Sequence, residues 1–128
     1  MEDGFETIRG RVEMYELLSK QPDEESLYLL KEAVKCEERE SVRAYIIILC
    51  AEMMKALGYN EQAALGLIDE LQNIEEIKQA KYCLGSCYLT RYIFGDTTVK
   101  NQVEEMLGER DAYEEGLREL LDDMKVTM

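Results

Sequence analysis

The chain has 128 residues, 28 acidic against 15 basic, with no histidine and no tryptophan, for a net charge of −13. That length allows one domain with a real core but not two. The charge opposes direct binding to nucleic acid or to an anionic membrane and favours a basic partner, or mimicry of a nucleic-acid backbone, while the missing histidine removes the commonest general base and nitrogen metal ligand.

Apolar residues recur at helical spacing throughout, and no segment alternates as a half-buried strand would. An all-α fold of about seven helices is predicted. Helix one covers about 6–19, with Ile8, Val12 and Tyr15 on one face. It stops in "SKQPDEES", where Pro22 forbids continuation and the acidic run suits the positive end of helix two. Helix two, about 23–36, carries Leu27, Leu30 and Val34. Ser41 is the predicted N-cap of helix three, about 42–57, which is apolar nearly all round and should be the most buried. Gly58 and Asn60 break the chain before helix four, about 61–71, with Ala64, Leu67, Ile68 and Leu71 inward. Helix five should run unbroken over about 74–93 to Gly95. Asp96 or Thr97 caps helix six, whose face is Val99, Val103, Met106 and Leu107. A last helix, about 110–125, shows Tyr113, Leu117, Leu120, Leu121 and Met124.

The breaks at Pro22, Gly58 and Gly95 fall 36 and 37 residues apart, which suggests an internal repeat. A shift of 36 lays Tyr45 on Lys81, Ile48 on Leu84, Leu49 on Gly85 and Leu67 on Val103. Each copy is then a long helix, a glycine-bearing turn and a shorter helix. "KYCLGSCY", Lys81–Tyr88, resembles the first-helix signature of tetratricopeptide repeats (aromatic-x2-Leu-Gly-x2-Tyr) through Leu84, Gly85 and Tyr88. Ala64 with Ile68 resembles the small-then-large pair of that family's second helix. Lys81 stands at the aromatic position, Leu49 and Glu52 replace glycine and tyrosine in the middle copy, and no proline closes either repeat. The layout expected is three antiparallel hairpins (about 6–36, 42–71 and 74–107) and a C-terminal capping helix.

Four cysteines (Cys36, Cys50, Cys83 and Cys87), with no secretory leader read in the acidic N-terminus, are expected as reduced thiols in a cytoplasmic protein. Their spacing contains no C-x2-C pair, so core packing is expected rather than a metal or redox site. No cofactor motif occurs, no carboxylate pair stands in an apolar context, and the longest apolar run, Ala44–Ala51, is too short for a bilayer. A non-enzymatic chain follows.

The family resemblance implies peptide recognition along the first helices. In helix three, Tyr45, Ile48, Leu49 and Glu52 are assigned to the structural stripe, which leaves Arg43, Ile46, Cys50, Met53 and Met54 for the partner. The shift by 36 adds Gln79, Tyr82, Ser86, Leu89 and Thr90, and the first pair adds Met14 and Leu17. This mixture suits a peptide-accepting groove, although burial of the same side chains as core is the competing reading. Because Arg43, Lys55, Lys78 and Lys81 do not repeat on one face, a basic or apolar peptide is expected rather than an anionic one. The alternative partner surface is acidic: residues 102–123 hold nine acids and two bases, and Glu104, Glu105, Glu114, Glu115 and Glu119 would present carboxylates to a nucleic-acid-binding protein. Homodimerisation through an unpaired apolar face is a third possibility.

Overall fold

A computed structural model describes residues 8–115. The described residues are all-α: α1 (Ile8–Ser19), α2 (Glu24–Cys36), α3 (Glu40–Ala56), α4 (Glu61–Gln72), the single turn α5 (Glu75–Lys78), α6 (Lys81–Ile93), a 3₁₀ turn (Thr97–Val99) and α7 (Lys100–Gly108). Residues 110–115 are again helical. The rest of the expected capping helix, with Glu119, lies outside the described residues. No described helix is long and apolar enough to cross a membrane.

Several boundaries follow directly from local chemistry. The Asp23 carboxylate accepts the Ser26 N–H at 2.7 Å, and the Asn60 side chain accepts the Ala63 N–H at 2.8 Å, so each satisfies an orphan donor at a helix start. Gly58 and Gly95 take φ of +78° and +111° at the ends of α3 and α6, where a Cβ would be strained. Asp96 caps the 3₁₀ turn by accepting from the Thr98 N–H at 3.0 Å.

Two expectations need correction. Helix three starts at Glu40 rather than after Ser41, and its N-cap residue, Arg39, supplies no side-chain cap. Glu40 is used elsewhere: its carboxylate accepts the Tyr82 backbone N–H at 2.6 Å, so the first turn of α3 caps the first turn of α6. Helix five is also split, because the chain is extended at Ala80 between α5 and α6. Ile77, Cys83 and Cys87 are all fully buried. On one straight helix Ile77 and Cys83 would point about 120° apart, and the break lets both enter the core.

The core centres on α3, which packs most closely against α6 and α2. Helices α3 and α6 run parallel: Glu40 meets Tyr82, Ser86 Oγ donates to the Ala44 carbonyl at 3.1 Å, and Lys55 lies over the Phe94 ring. Side-by-side residues are therefore 42 apart in sequence. The 36-residue interval between chain breaks does not set this register, since α5 and the extended link at Ala80 intervene.

A buried clasp fixes the other side of α3. Glu37, only 5% exposed, receives Arg11 through both carboxylate oxygens (2.9 and 3.3 Å) and the Tyr15 hydroxyl on one of them. The Arg43 guanidinium donates to the Glu37 carbonyl. Burial first, and then the hydrogen bond to Glu37, hold the Tyr15 phenol far above its ordinary pKa, so it stays a donor.

Candidate binding recess

The stripe of α3 assigned to a partner is largely core. Ile46, Cys50, Met53 and Met54 are 0% exposed, as is Thr90 on α6. Thr90 spends its hydroxyl on the Ser86 carbonyl at 2.8 Å, and half-buried Arg43 is committed to the Glu37 carbonyl. These six residues cannot line an open groove. Gln79 is exposed in the link between α5 and α6, while Met14 and Leu17 are exposed on α1.

What remains open is the neighbouring stripe. Ala44 and Ser86 are small and bring α3 and α6 together, while larger side chains on either side splay apart. Tyr45 and Ile48 from α3 and Tyr82 and Leu89 from α6 wall an apolar recess of about 270 Å³, whose lining also includes Met106 and Tyr113. Of the expected partner residues, Tyr82, Ser86 and Leu89 do meet here. Tyr45, Ile48, Met106 and Tyr113 were not among them. The signal for the α3 pair was Glu52, which shares their stripe and must reach water, whereas the Ile46–Cys50–Met53 stripe carries no acid.

The walls are held by polar contacts outside the recess. The Tyr45 hydroxyl donates to Glu16 Oε2 of α1 at 2.5 Å. Burial, that hydrogen bond and the charges of Glu16 and Glu52 push its phenol well above the usual value. Tyr82 and Tyr113 meet edge to face, with ring centroids 5.5 Å apart. Gly85 supplies the niche for Tyr113, because a Cβ there would stand 2.5 Å from Tyr113 Cε1 and 3.1 Å from Met106 Cε. In "KYCLGSCY" the glycine thus admits a side chain from the helix after α7.

A second recess of about 370 Å³ lies between α6 and α7 and shares Met106 and Tyr113 with the first. Its lining is mixed, with Lys78, Lys81, Gln102 and Glu105 beside Leu84, Tyr88, Met106 and Tyr113. Lys81 pairs with Glu109 at 3.3 Å and lies over the Tyr113 ring, and Lys78 pairs with Glu75 at 3.5 Å. Gln102 Oε1 is buried there without a hydrogen bond.

The cysteines separate into two kinds. Cys50, Cys83 and Cys87 are buried, and burial pushes each thiol up to about 12, so at neutral pH they are protonated and neither good nucleophiles nor ready ligands. Cys36 is exposed, contrary to the expectation of core packing. Among the described residues no three metal-ligating side chains cluster. On the alternative acidic surface, Glu104, Glu105, Glu114 and Glu115 are all exposed, and Lys100 and Arg110 lie 4.0 and 3.7 Å from Glu104 and Glu114.

Comparison with known proteins gave no match to the chain among protein-family models, curated proteins or solved structures.

Proposed function

We propose that this chain is a non-catalytic protein-binding module, of the adaptor or regulatory kind, that receives an apolar side chain of its partner between α3 and α6. One observation carries the reading: the recess of about 270 Å³ is apolar and open, although the neighbouring stripe of α3 is packed to zero exposure. Concave apolar sites with a few fixed polar groups at the edge are the usual form of a binding site. Here Glu16 and Glu52 stand beside Tyr45 at its α1 side. The groove that the tetratricopeptide resemblance implies would thus run along the Tyr45–Ile48 stripe of α3.

A second reading, an acidic decoy for a nucleic-acid-binding protein, draws on the exposed carboxylates of α7 and the helix after it. Capture by the immobilised full chain at low and moderate salt separates the two. Recess binding predicts partners that survive moderate salt, are lost with Ile48→Glu and are kept with Glu104→Lys/Glu114→Lys. Decoy binding predicts a nucleic-acid-binding protein released by salt and by the Glu104→Lys/Glu114→Lys pair, with Ile48→Glu neutral.

A further inference from the structure

We propose that the partner of the α3–α6 recess is a basic segment in which an apolar side chain stands near a cationic one, the apolar group filling that recess and the cation crossing into the α6–α7 recess. The inference rests on the protein-binding reading above and adds the chemistry of what is bound. Three observations support it independently.

The first is adjacency. Met106 and Tyr113 line both recesses, so a segment lying over this ridge reaches an apolar slot on one side and, on the other, a slot of mixed lining that carries charged and amide side chains.

The second is an unused acceptor. Gln102 Oε1 is, among the described residues, the one buried side-chain oxygen or nitrogen without a hydrogen bond. Leaving such an acceptor unsatisfied has a real free-energy cost; a turn of the partly exposed Gln102 side chain into the recess presents the oxygen to a ligand's donor and removes that cost. The two lysines of this recess do not supply that donor; their charges are matched by Glu75 and Glu109. Glu105, exposed on the same rim, has no ion pair among the described residues and leaves a negative charge for an incoming cation.

The third is charge. At −13 the chain attracts a cationic segment and repels a second copy of itself, which favours a basic partner over self-association through this face. A guanidinium suits the mixed slot best, since it is planar, carries five donors and stacks on tyrosine rings such as Tyr88 and Tyr113.

The test is selection of a random dodecapeptide phage library on the full-length chain, followed by fluorescence anisotropy of the enriched peptides against variants. Enriched sequences should pair a bulky apolar residue with an arginine or lysine within about one helical turn's reach. Gln102→Leu and Glu105→Lys should each weaken those peptides by about tenfold, with circular dichroism unchanged. Ile48→Glu should abolish binding. Replacement of the peptide's basic residue by alanine should lose more than Gln102→Leu alone and lose nothing further on a chain carrying both Gln102→Leu and Glu105→Gln.

The proposal is overturned if no sequence enriches, if the enriched sequences lack basic residues, or if both Gln102→Leu and Glu105→Lys bind as tightly as the parent. A dimer that buries this face, seen by sedimentation, overturns it as well. Its failure is separable from that of the wider reading. Peptides lost with Ile48→Glu but indifferent to Gln102 and Glu105 leave the apolar recess standing and remove only the cationic subsite; peptides indifferent to Ile48→Glu remove both.

Discussion

The two flanks of α3 solve the same problem differently. Toward α1 and α2, the buried carboxylate is fully matched: Glu37 takes Arg11 on both oxygens and Tyr15 on one, while its carbonyl takes Arg43. Toward α6 and α7, two recesses remain and Gln102 Oε1 has no donor. The first flank resembles a finished interior, and the second keeps recesses and one unsatisfied acceptor. On the proposed reading, satisfied polarity marks the scaffold and unsatisfied polarity beside an open apolar slot marks the place to bind.

The most severe way to break this contrast is a charge on the wrong stripe of α3. Met53→Glu places a carboxylate where exposure is zero, with no cation provided, and should cost about 5 kcal/mol or more, enough to unfold a domain of this size. Ile48→Glu, five residues earlier at a partly exposed position on the recess, should cost much less, about 1 kcal/mol. Urea denaturation followed by circular dichroism separates the pair. Equal losses would mean that the recess is core and the assignment of the two stripes is wrong.

Next in size is the clasp. Glu37→Ala leaves Arg11 and Tyr15 facing a hole and should destabilise the fold by about 3 kcal/mol. Peptide binding at the recess should survive at temperatures where the variant is folded. If binding failed in the folded variant, the two flanks would be energetically coupled and the division between scaffold and site would not hold.

Much of the scaffold was legible because its signals are local. Asp23, Asn60, Asp96, Gly58 and Gly95 act within a few residues of themselves, and each ends or starts a helix where the sequence places it. The misplaced start of α3 and the split at Ala80 are non-local. Glu40 is drawn to the N–H of Tyr82, 42 residues away, and the break before α6 answers the need to bury Ile77 and Cys83 together. The candidate recess was half legible for a related reason. On α6, the shift of 36 picked out Tyr82, Ser86 and Leu89, which line it, but on α3 the period defines two stripes without saying which faces inward. Only Glu52 distinguished them. Met106 and Tyr113 enter from later helices, and a sequence periodicity carries no information about such an approach.

A smaller effect comes from the buried thiols. Cys50, Cys83 and Cys87 titrate near 9 when unfolded and are pushed up to about 12 by burial. The folded chain keeps those protons while the unfolded chain releases them, so their contribution is complete below pH 9 and is lost as pH rises from 9 toward 12. The urea midpoint should therefore be flat from pH 7 to about 9 and fall above it, and Cys87→Ala should flatten the fall. Native chain treated with a thiol reagent at pH 8 should lose Cys36 quickly and the other three only on unfolding. Fast reaction of all four would show that the α3–α6 interface opens readily.

The finest test concerns two glycines in helices. Gly66 on α4 has nothing within 4 Å of a built Cβ, so Gly66→Ala should simply gain helix propensity and stabilise by about 0.5–1 kcal/mol. Gly85→Ala has the same propensity gain, but its methyl would stand 2.5 Å from Tyr113 Cε1, and the ring must leave its niche. The clash costs about 1–3 kcal/mol, so the net change should be near zero or mildly destabilising. Stability alone would not reveal the more useful consequence. Displacing Tyr113 removes the ridge that parts the two recesses and breaks its edge contact with Tyr82, so the ring resonances of both tyrosines should move in NMR spectra while those of Tyr15 stay fixed. If Gly85→Ala instead matched Gly66→Ala in stability and left Tyr82 unmoved, Tyr113 would not be seated at Gly85, and the boundary between the apolar and mixed slots would have to be drawn elsewhere.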